Sequence, residues 1–591
     1  MAWKQRWERV LGHPQAPVWV ACVGLLLLGG SLKQGFQMDD YVQQMHIFGI
    51  EGIVPKAERP WLEFFAFVRN KEALKEYQRR GIAPWWSAPD LKMAFFRPFS
   101  SMTHLFDYRV WPSSPWLMHL QSLLWFGLLL LLLMRLLSGL GMERWLAAGV
   151  GLLYGTFHGF AAPVSWLANR NAVIAAVFGL TCLWFHHRGR QEKSFVFGLF
   201  ASLAFGLGLL SGESAIAVCG YLFAYAVFLD PAGWKGKAAS LVPYGLLVVG
   251  WRVMYKILDF GVYGSGLYID PLHDPLRFFW ALLERVPLLL FGQWGFPPIS
   301  LYTPLPAMAQ TLFWLWTLGG LAFCILLFWP LRRLPLARFF GLGMVLAVIP
   351  ICATFPDDRL LFFVGVGGFS LLALFFAHLS DPSTSAPWLG GAAWKRRIAK
   401  VGFWGLFVIH AVLSPPLAAM RSFQMEMFDS FIQKGADTLP LHKGKEAYYV
   451  VLGSFNSFFD MNVIPRLMWQ KRIALSHHYV LGPATEGSEV NVLDAQTLVI
   501  RPKGGFLQSL DPLFRAPAIP FVQGQRLQSR DLQIEIRAIT KDGRPTEVLF
   551  RFSHPLHSAR FVFLTSTKDG YKEVSLPAIG KTLLVPPLIL F

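Results

Sequence analysis

The sequence predicts a polytopic α-helical membrane protein with a small β-rich domain at its C-terminus. Apolar residues make up 54% of the 591 residues and charged residues only 15%, whereas soluble proteins carry about 25% charged residues. Long stretches without charge alternate with short basic loops, which is the pattern of repeated membrane spans. After Met420 the sequence changes to short alternating runs separated by turns, which is typical of β-strands.

The first apolar run is predicted to remain in the mature protein as a membrane span. Lys4, Arg6 and Arg9 precede an apolar run from Pro14 to Leu32. The apolar core of a cleaved signal peptide has about 7–15 residues and is followed by a cleavage site between small residues. This run is longer, and the residues after Leu32 do not form such a site. We therefore expect a retained first span.

Twelve apolar segments approach the length of a membrane span, which is about 20 residues. The eighth is the weakest, because Glu284 and Arg285 lie in its middle and the breaker sequence at 295–298 ends it. The segments cover residues 14–35, 114–134, 145–166, 171–187, 194–212, 214–230, 238–258, 278–295, 309–329, 339–356, 360–380 and 400–419.

The basic loops decide the topology, because lysine and arginine are enriched on the cytoplasmic side. With the N-terminus in the cytoplasm, the basic loops at 188–193 and 235–237 fall inside. The basic clusters at 332–338 and 395–397 fall inside only if segment eight does not cross. The sequence therefore predicts eleven crossings and one re-entrant or interfacial segment, with the C-terminus outside. The net charge of +18 is explained by these loops, and we expect no nucleic-acid partner.

This topology gives a transmembrane domain over residues 1–420 and an extracytoplasmic domain over 421–591. A long first outer loop, about 36–113, shares the outer side with the C-terminal domain. Within that loop, residues 60–80 are predicted to form a helix in the membrane interface, apolar on one side and basic on the other. Trp85 and Trp86 fit an interfacial aromatic belt. In the C-terminal domain, alternation such as that at 532–537 predicts a small antiparallel sheet.

An acidic pair, Asp39-Asp40, directly follows the first span. Two adjacent carboxylates at a membrane surface are costly unless they are solvated, paired or used in chemistry. They could serve a reaction, or they could cap a helix that starts at the membrane surface.

Three further blocks lie at predicted outer ends of spans. The first contains Arg97-Pro98 and Asp107 and leads to His119 in span two. The second runs from His158 to Asn171 and contains Trp166 and Arg170. The third is the sequence from Phe355 to Leu361, with Asp357, Asp358 and Arg359.

The order of these motifs resembles the GT-C superfamily of membrane glycosyltransferases. The nearest likeness is to bacterial relatives of protein O-mannosyltransferases and of the tetratricopeptide-containing mannosyltransferases, and it covers roughly residues 1–420. One departure stands in the second block. The family has an acidic residue between the histidine and the tryptophan, where this sequence has Ala161, Ala162 and Pro163.

The resemblance implies a polyprenyl-phosphate sugar donor and transfer to a protein, lipid or glycan acceptor at the periplasmic face of a bacterial inner membrane. Transfer with inversion needs one carboxylate as a general base on the acceptor hydroxyl. Asp39 or Asp40 is the candidate. The leaving phosphate needs positive charge, for which the guanidinium fork is best suited. The candidates are Arg97, Arg170, Arg359 and Arg252.

Supporting roles are predicted for His104, Asp107, His119, His158, Glu213, Asp357 and Asp358. Each candidate also has a structural alternative. Arg97 could pair with Asp107, Arg170 and Arg359 could reach lipid headgroups, and the histidines could be structural hydrogen-bonding groups. A divalent cation, Mg²⁺ or Mn²⁺, bound by the acidic pair is an open alternative.

Two other classes of function are alternatives to a glycosyltransferase. A transporter or flippase for lipid-linked sugars should show internal repeats and broken or charged helices near the midplane. The sequence shows no repeat, and the acidic pair lies at a span end. An inactive scaffold of surface-glycan assembly is the third hypothesis, because one family carboxylate is missing.

Overall fold

The computed structural model describes residues 2–49, 56–381, 384–390, 392–444, 446–454, 456–508, 510–529 and 531–588. In chain order the α-helices are α1 Ala2–Leu11, α2 Ala16–Leu28, α3 Asp39–Phe48, α4 Pro60–Glu63, α5 Lys71–Arg80, α6 Pro98–Val110, α7 Pro115–Gly139, α8 Arg144–Gly155, α9 Ala161–Ser165, α10 Arg170–Gln191, α11 Phe195–Leu209, α12 Val218–Phe228, α13 Trp234–Ile257, α14 Pro275–Gly292, α15 Ala307–Phe328, α16 Pro335–Ile351, α17 Phe362–Ser380, α18 Ala386–Leu389, α19 Ala393–Phe407, α20 Ser414–Arg421, α21 Gln424–Thr438 and α22 Ser457–Lys471. The strands are β1 Ala66–Val68, β2 Lys92–Ala94, β3 Gly261–Tyr263, β4 Tyr448–Gly453, β5 His477–Val480, β6 Ser488–Val492, β7 Thr497–Pro502, β8 Arg526–Ser529, β9 Leu532–Ile539, β10 Pro545–Phe552, β11 Phe561–Thr567, β12 Gly570–Glu573 and β13 Thr582–Val585.

The chain forms two compact units that do not follow chain order. The helical unit comprises Met1–Gly35, Phe96–Asp259 and Pro271–Met425. The α/β unit comprises Phe36–Phe95, Phe260–Asp270 and Glu426–Phe591. Most of the predicted first outer loop and a short segment after α13 therefore fold together with the C-terminal region.

Seven helical stretches among the described residues are long and apolar enough to cross a membrane, by length and composition. Three further apolar helices are shorter and cover Phe195–Leu209, Glu213–Phe228 and Pro335–Ile351. This content fits a multi-pass membrane protein with a β-rich C-terminal region. The seven stretches are Ala16–Lys33, Pro115–Gly139, Leu167–Gln191, Trp234–Ile257, Ala307–Arg333, Phe362–Ser380 and Ala393–Lys443.

The third predicted segment, 145–166, is not one continuous helix. Helix α8 ends at Gly155, and a 3₁₀ turn at His158–Phe160 leads into the short helix α9. Proline lacks the backbone N–H that an α-helix uses and disfavours helical geometry in the residue before it. Pro163 cannot donate to the carbonyl of Gly159, so the helix does not continue unbroken from α8, and Pro163 lies instead in the first turn of the separate short helix α9.

The basic loops gather at one end of the helical unit. Arg190 pairs with Asp230 at 2.7 Å, and the Arg338 guanidinium lies over the ring of Phe228. The indole N–H of Trp388 donates to the carbonyl oxygen of Leu327 at 2.7 Å. The ends of the helices that carry these residues therefore lie on the same side of the helical unit, as the predicted topology requires.

Helix α14 belongs to a hairpin that enters and leaves at the same end of the helical unit. Its Arg285 donates to the carbonyl oxygen of Cys352 at 2.9 Å, directly after α16. Deeper in, the indole N–H of Trp294 donates to the Gly368 carbonyl inside α17. The chain then turns back, since Ile299 N–H reaches Asp358 at 3.2 Å. This reversal is what a re-entrant eighth segment requires.

Three sheets organise the α/β unit. A small sheet, β1-β2-β3, is formed by the first outer loop and the segment after α13. A six-stranded antiparallel sheet has the order β13-β6-β7-β10-β9-β8, and a four-stranded sheet has the order β12-β11-β4-β5. In the latter, β4 pairs in parallel with both β5 and β11. The expectation of an antiparallel sheet is therefore wrong for this part, because α22 connects β4 to β5 as a crossover helix.

The predicted aromatic belt is also corrected by the structure. Trp86 is 1% exposed, and the ring of Trp85 packs against Phe506 and Phe550 of the six-stranded sheet region. The indole N–H of Trp85 donates to the carbonyl oxygen of Leu481 at 3.0 Å. Both side chains belong to the interior of the α/β unit, which offers apolar contacts to both rings and a hydrogen-bond acceptor to Trp85.

Candidate functional site

The acidic pair lies at the N-terminus of α3, inside the α/β unit. Asp39 is half-buried and Asp40 is completely buried. Oδ2 of Asp40 accepts the backbone N–H of Gln37 at 2.9 Å, and Asp40 N–H donates to the Gln37 carbonyl. Carboxylates are favoured at a helix N-terminus. Asp40 therefore stabilises the N-terminus of α3, and Asp39 is the more accessible of the two carboxylates.

The backbone before the pair adopts an unusual conformation. Met38 has φ of 39° and ψ of −110°, although it is not glycine. A non-glycine residue at positive φ is held there by its surroundings at a cost of about 1–3 kcal/mol. The Met38 side chain is 5% exposed, and its backbone N–H faces the carboxylate of Asp429.

Helices α21 and α22 supply the groups around the start of α3. Asp429 and Arg466 form an ion pair, and the Arg466 guanidinium lies 5.2 Å from the ring centre of Tyr41. Nε2 of Gln470 donates to the Tyr41 hydroxyl at 2.9 Å. Burial, followed by the negative charge of Asp429, raises the pKa of Tyr41. Tyr41 therefore stays protonated at neutral pH.

In the helical unit, Arg170 is completely enclosed by acceptors. Nη1 lies 2.5 Å from Oδ2 of Asp107, and both side chains are 0% exposed. The guanidinium also donates to the Ser122 hydroxyl, the Met118 carbonyl and the Gln121 side chain. These bonds tie α6 and α10 to α7. Burial raises the pKa of Asp107, and the Arg170 charge opposes this shift.

His104 lies on α6 together with Asp107 and is 1% exposed. Burial, followed by the positive charge of Arg170, lowers its pKa well below the usual value. The imidazole is therefore neutral. Another predicted histidine, His119, places Nε2 3.3 Å from the Gly35 carbonyl at the end of the first span. Both histidines are buried in the helical unit, and their supporting role stays a prediction.

Arg97 forms the second arginine–carboxylate pair, with Nε 2.7 Å from Oε2 of Glu213. The Tyr255 hydroxyl donates to the other oxygen of Glu213 at 3.2 Å. The side chains of Arg97 and Glu213 are 17% and 29% exposed. This pair connects the start of α6 with the turn before α12 and the end of α13. The sequence alternative was a pair between Arg97 and Asp107. In the structure, Asp107 pairs with Arg170, and Arg97 pairs with Glu213.

The third pair contains a residue that the sequence does not single out, Arg421 at the end of α20. Its Nη1 lies 3.3 Å from Oδ2 of the buried Asp358 and 2.9 Å from Nδ1 of His158. Asp358 also accepts the backbone N–H groups of Ile299 and Ser300 at 3.2 and 3.1 Å. The returning limb of the α14 hairpin is thus fixed to α17 and α20. A lone cation directly after the last apolar segment was the available signal for Arg421.

Arg359 is another predicted phosphate-binding arginine and is partly buried, with 19% of its side chain exposed. Its guanidinium carbon lies 5.2 Å from the ring centre of Phe355 and 5.8 Å from that of Trp166. Asp357 is 3.7 Å away, and within the described residues Nε of Arg359 has no hydrogen-bond acceptor. Burial raises the pKa of Asp357. The fourth arginine, Arg252, lies over the ring of Tyr255 on α13.

The predicted site residues fall in both units. Asp39 and Asp40 belong to the α/β unit, and the arginines, histidines and other carboxylates belong to the helical unit. Within the helical unit, three arginine–carboxylate pairs and Arg359 lie at helix ends away from the basic loops. Among the described residues, no three His, Cys, Asp or Glu side chains are grouped to hold a metal ion. The divalent cation stays a prediction.

No protein-family model and no curated protein sequence matches this chain. Among solved structures, the Archaeoglobus fulgidus oligosaccharyltransferase in its apo form aligns with a TM-score of 0.37 and 12% identity, over 79% of this chain and 64% of that chain. The same enzyme tethered by a disulfide bond to an acceptor peptide with an NVT sequon aligns with a TM-score of 0.35 and 10% identity, over the same shares. This chain thus spans less than two thirds of that enzyme. A similarity of this extent carries no information about the reaction of this chain.

Proposed function

We propose that this chain is a membrane glycosyltransferase that moves a sugar from a polyprenyl-phosphate-linked donor to an acceptor hydroxyl. The observation that carries the proposal is the set of arginines at helix ends away from the basic loops. Charged side chains at these positions are costly and mark functional sites in membrane proteins. Nε of Arg359 has no hydrogen-bond acceptor among the described residues, whereas Arg97, Arg170 and Arg421 are paired with carboxylates.

The proposed topology has eleven crossings, a re-entrant α14 and a cytoplasmic N-terminus. Contacts between the basic loops and the reversal after Gly292 support it. In this topology the arginine-bearing helix ends and the α/β unit are extracytoplasmic, in a bacterial inner membrane. The lipid-linked donor then reacts at the outer leaflet.

Asp39 is proposed as the general base. Its carboxylate takes the proton of the acceptor hydroxyl, and the hydroxyl oxygen bonds to the anomeric carbon of the sugar. The bond from that carbon to the phosphate oxygen breaks, and polyprenyl phosphate leaves with the electron pair. Asp39 suits this role because it is half-buried, whereas Asp40 accepts the Gln37 N–H.

The arginines divide into two roles in this mechanism. Arg359 donates to the leaving phosphate and stabilises its growing charge, because its guanidinium has donor capacity to spare. Arg170, saturated by Asp107 and three other acceptors, positions α6, α7 and α10. Arg97 and Arg421 hold the neighbouring helix ends through Glu213 and Asp358.

The test compares a strain that lacks the gene with the same strain complemented by variants. Mass spectrometry of surface glycans, lipids and glycoproteins should show one sugar-modified product that wild-type protein restores. Asp39→Asn should not restore it, although the variant accumulates in the membrane. Asp437→Asn, an exposed carboxylate of α21, is the matched control and should restore it. Full restoration by Asp39→Asn would overturn the assignment of Asp39 as the base.

A transporter of lipid-linked sugars is the second candidate, and the broken α14 hairpin favours it. Membrane-impermeant periodate distinguishes the two, because it oxidises vicinal diols only on the outer face of intact spheroplasts. A strain with an inactive transferase should accumulate lipid-linked sugar that periodate destroys. Accumulation of protected lipid-linked sugar would instead identify a transporter.

A further inference from the structure

Helices α21 and α22 are joined by two ion pairs of different character. Asp429 and Arg466 are 11% and 9% exposed in their side chains, whereas Asp437 and Lys471 are 54% and 39% exposed and 3.1 Å apart. Exposed pairs contribute little, because water screens them. A buried pair is costly to desolvate and is weak evidence for stability by itself. A contribution to stability therefore does not by itself explain why Asp429 and Arg466 are buried as a pair.

The buried pair contacts the segment that carries the acidic residues. The Asp429 carboxylate faces the backbone N–H of Met38, immediately before Asp39. The Arg466 guanidinium lies over the Tyr41 ring, immediately after Asp40. Gln470, one turn beyond Arg466, donates to the Tyr41 hydroxyl. The acidic residues are thus held from both sides by a part of the chain about 390–430 residues away.

The conformation that is held is a strained one. Met38 has positive φ, and a residue other than glycine keeps this backbone conformation only where surrounding contacts enforce it. The strained residue sets the direction in which α3 begins, and with it the direction of both carboxylates. The Asp429 carboxylate beside the Met38 N–H and the Arg466 guanidinium over the Tyr41 ring flank this conformation on its two sides.

The pair also shares an electrostatic environment with the acidic residues. The charges of Asp40, Asp429 and Arg466 all act on the Tyr41 hydroxyl. Asp429 faces the residue before Asp39, and Arg466 lies over the residue after Asp40, so both charges stand next to the acidic pair. A nearby positive charge favours an ionised carboxylate, and a nearby negative charge disfavours it.

We propose that Asp429 and Arg466 are positioning residues, which hold the strained start of α3 and thereby set the orientation and the charge state of the acidic pair. This inference rests on the proposed function, in which that pair supplies the base. It also assigns a role to the C-terminal region, since α21 and α22 complete the surroundings of residues that belong to the first outer loop.

The test uses dicyclohexylcarbodiimide, which reacts with protonated carboxyl groups in apolar surroundings. Purified full-length protein is labelled across a pH series, and the peptide with Asp39 and Asp40 is quantified by mass spectrometry. Asp429→Asn leaves the Arg466 charge uncompensated, so the labelling midpoint should fall by about one pH unit. Arg466→Met leaves Asp429 uncompensated, so the midpoint should rise by a similar amount. The double variant should return toward wild type.

The exposed pair provides matched controls on the same two helices. Asp437→Asn and Lys471→Met should leave the labelling midpoint unchanged, because both side chains are exposed to solvent. Equal midpoints in Asp429→Asn, Arg466→Met and wild type would overturn the positioning role. Shifts of both variants in the same direction would also overturn it, because they would indicate a general loosening of the fold.

Sugar transfer in the complemented strain separates this inference from the function on which it rests. Asp429→Asn and Arg466→Met should reduce the product about tenfold, and Arg466→Lys should recover part of it. If wild-type protein makes no sugar-modified product but the midpoints shift in opposite directions, the proposed function fails alone. If wild type is active and Asp39→Asn is inactive, yet the midpoints do not move, the positioning role fails alone.

Discussion

Oδ2 of Asp107 and Nη1 of Arg170 lie 2.5 Å apart, and neither side chain is exposed to solvent. The two residues are 63 positions apart in the chain and belong to α6 and α10. Removal of one partner leaves an unpaired buried charge, which costs about 3–5 kcal/mol. Removal of both charges avoids that cost.

The first prediction concerns this pair and protein stability. Asp107→Asn and Arg170→Met, made singly, should each lower the free energy of unfolding by about 3–5 kcal/mol. The double variant should be more stable than either single variant. Thermal unfolding of the purified protein in detergent measures this. Additive losses in the double variant would contradict a coupled pair.

The second prediction concerns Arg359 and the leaving phosphate. Arg359→Ala should reduce sugar transfer about 100-fold, because removal of one preorganised donor to a developing negative charge has an effect of this size. The free energy of unfolding should be unchanged within about 1 kcal/mol, since the only described ion pair of Arg359 is a long one, 3.7 Å, with the partly exposed Asp357.

Arg332 provides the control for Arg359. It is exposed at the basic end of the helical unit and lies over the Trp329 ring. Arg332→Ala should keep full transfer activity. Equal activity of Arg359→Ala and Arg332→Ala would exclude Arg359 from the phosphate site.

The third prediction tests the re-entrant hairpin. The five native cysteines are replaced by serine, and single cysteines are introduced by Leu272→Cys before α14 and Pro304→Cys after its return. Both should react with a membrane-impermeant thiol reagent from the outer face. Arg333→Cys, at the basic end, should react only after the membrane is opened. Labelling of the first two positions from opposite faces would show that α14 crosses.

The fourth prediction concerns the pH dependence of stability in the α/β unit. Burial raises the pKa of Asp511 to about 7, although the Gln508 N–H and Ser457 oppose the shift. A carboxyl group with a raised folded pKa favours the folded state at low pH, and this contribution is lost as pH rises from about 4 through about 7. Each pH unit in that window changes the contribution by about 1 kcal/mol.

Asp511→Asn should therefore flatten the decline in unfolding free energy between pH 5 and pH 7. Chemical denaturation of the full-length protein at several pH values measures the slope. Asp569→Asn, an exposed residue of the same unit, should keep the wild-type slope. The same slope in Asp511→Asn and wild type would contradict a raised pKa for Asp511.

The helices of the membrane-spanning part could largely be predicted from the sequence. An apolar run of about 20 residues has few alternatives to a helix, because backbone groups in lipid must bond within the segment. The distribution of basic residues among the loops predicted that α14 does not cross the membrane. The contacts of Arg285 and Ile299 agree with this prediction, because they show that the chain turns back after α14. The position of the acidic pair could also be predicted, because the pair directly follows the first apolar run.

Partners across the chain could not be predicted in this way. Arg421 joins Asp358 and His158, and Arg466 joins Asp429 beside Tyr41, over sequence distances that no local pattern encodes. Helix α22 and the parallel pairing of β4 with β5 were missed, since short amphipathic runs fit helix or strand equally well. Trp85 and Trp86 look interfacial by composition but are buried in the α/β unit.

The sequence by itself determined the class of this protein, the order of its apolar helices and the position of Asp39-Asp40 after the first of them. These properties depend on local hydrophobicity and on the distribution of basic residues, which are readable along the chain. Only the tertiary structure decided which arginine is saturated, which is available, and which distant helices hold the strained start of α3. Burial and pairing arise when segments far apart in sequence meet, so the acidity and orientation of a side chain are properties of the fold.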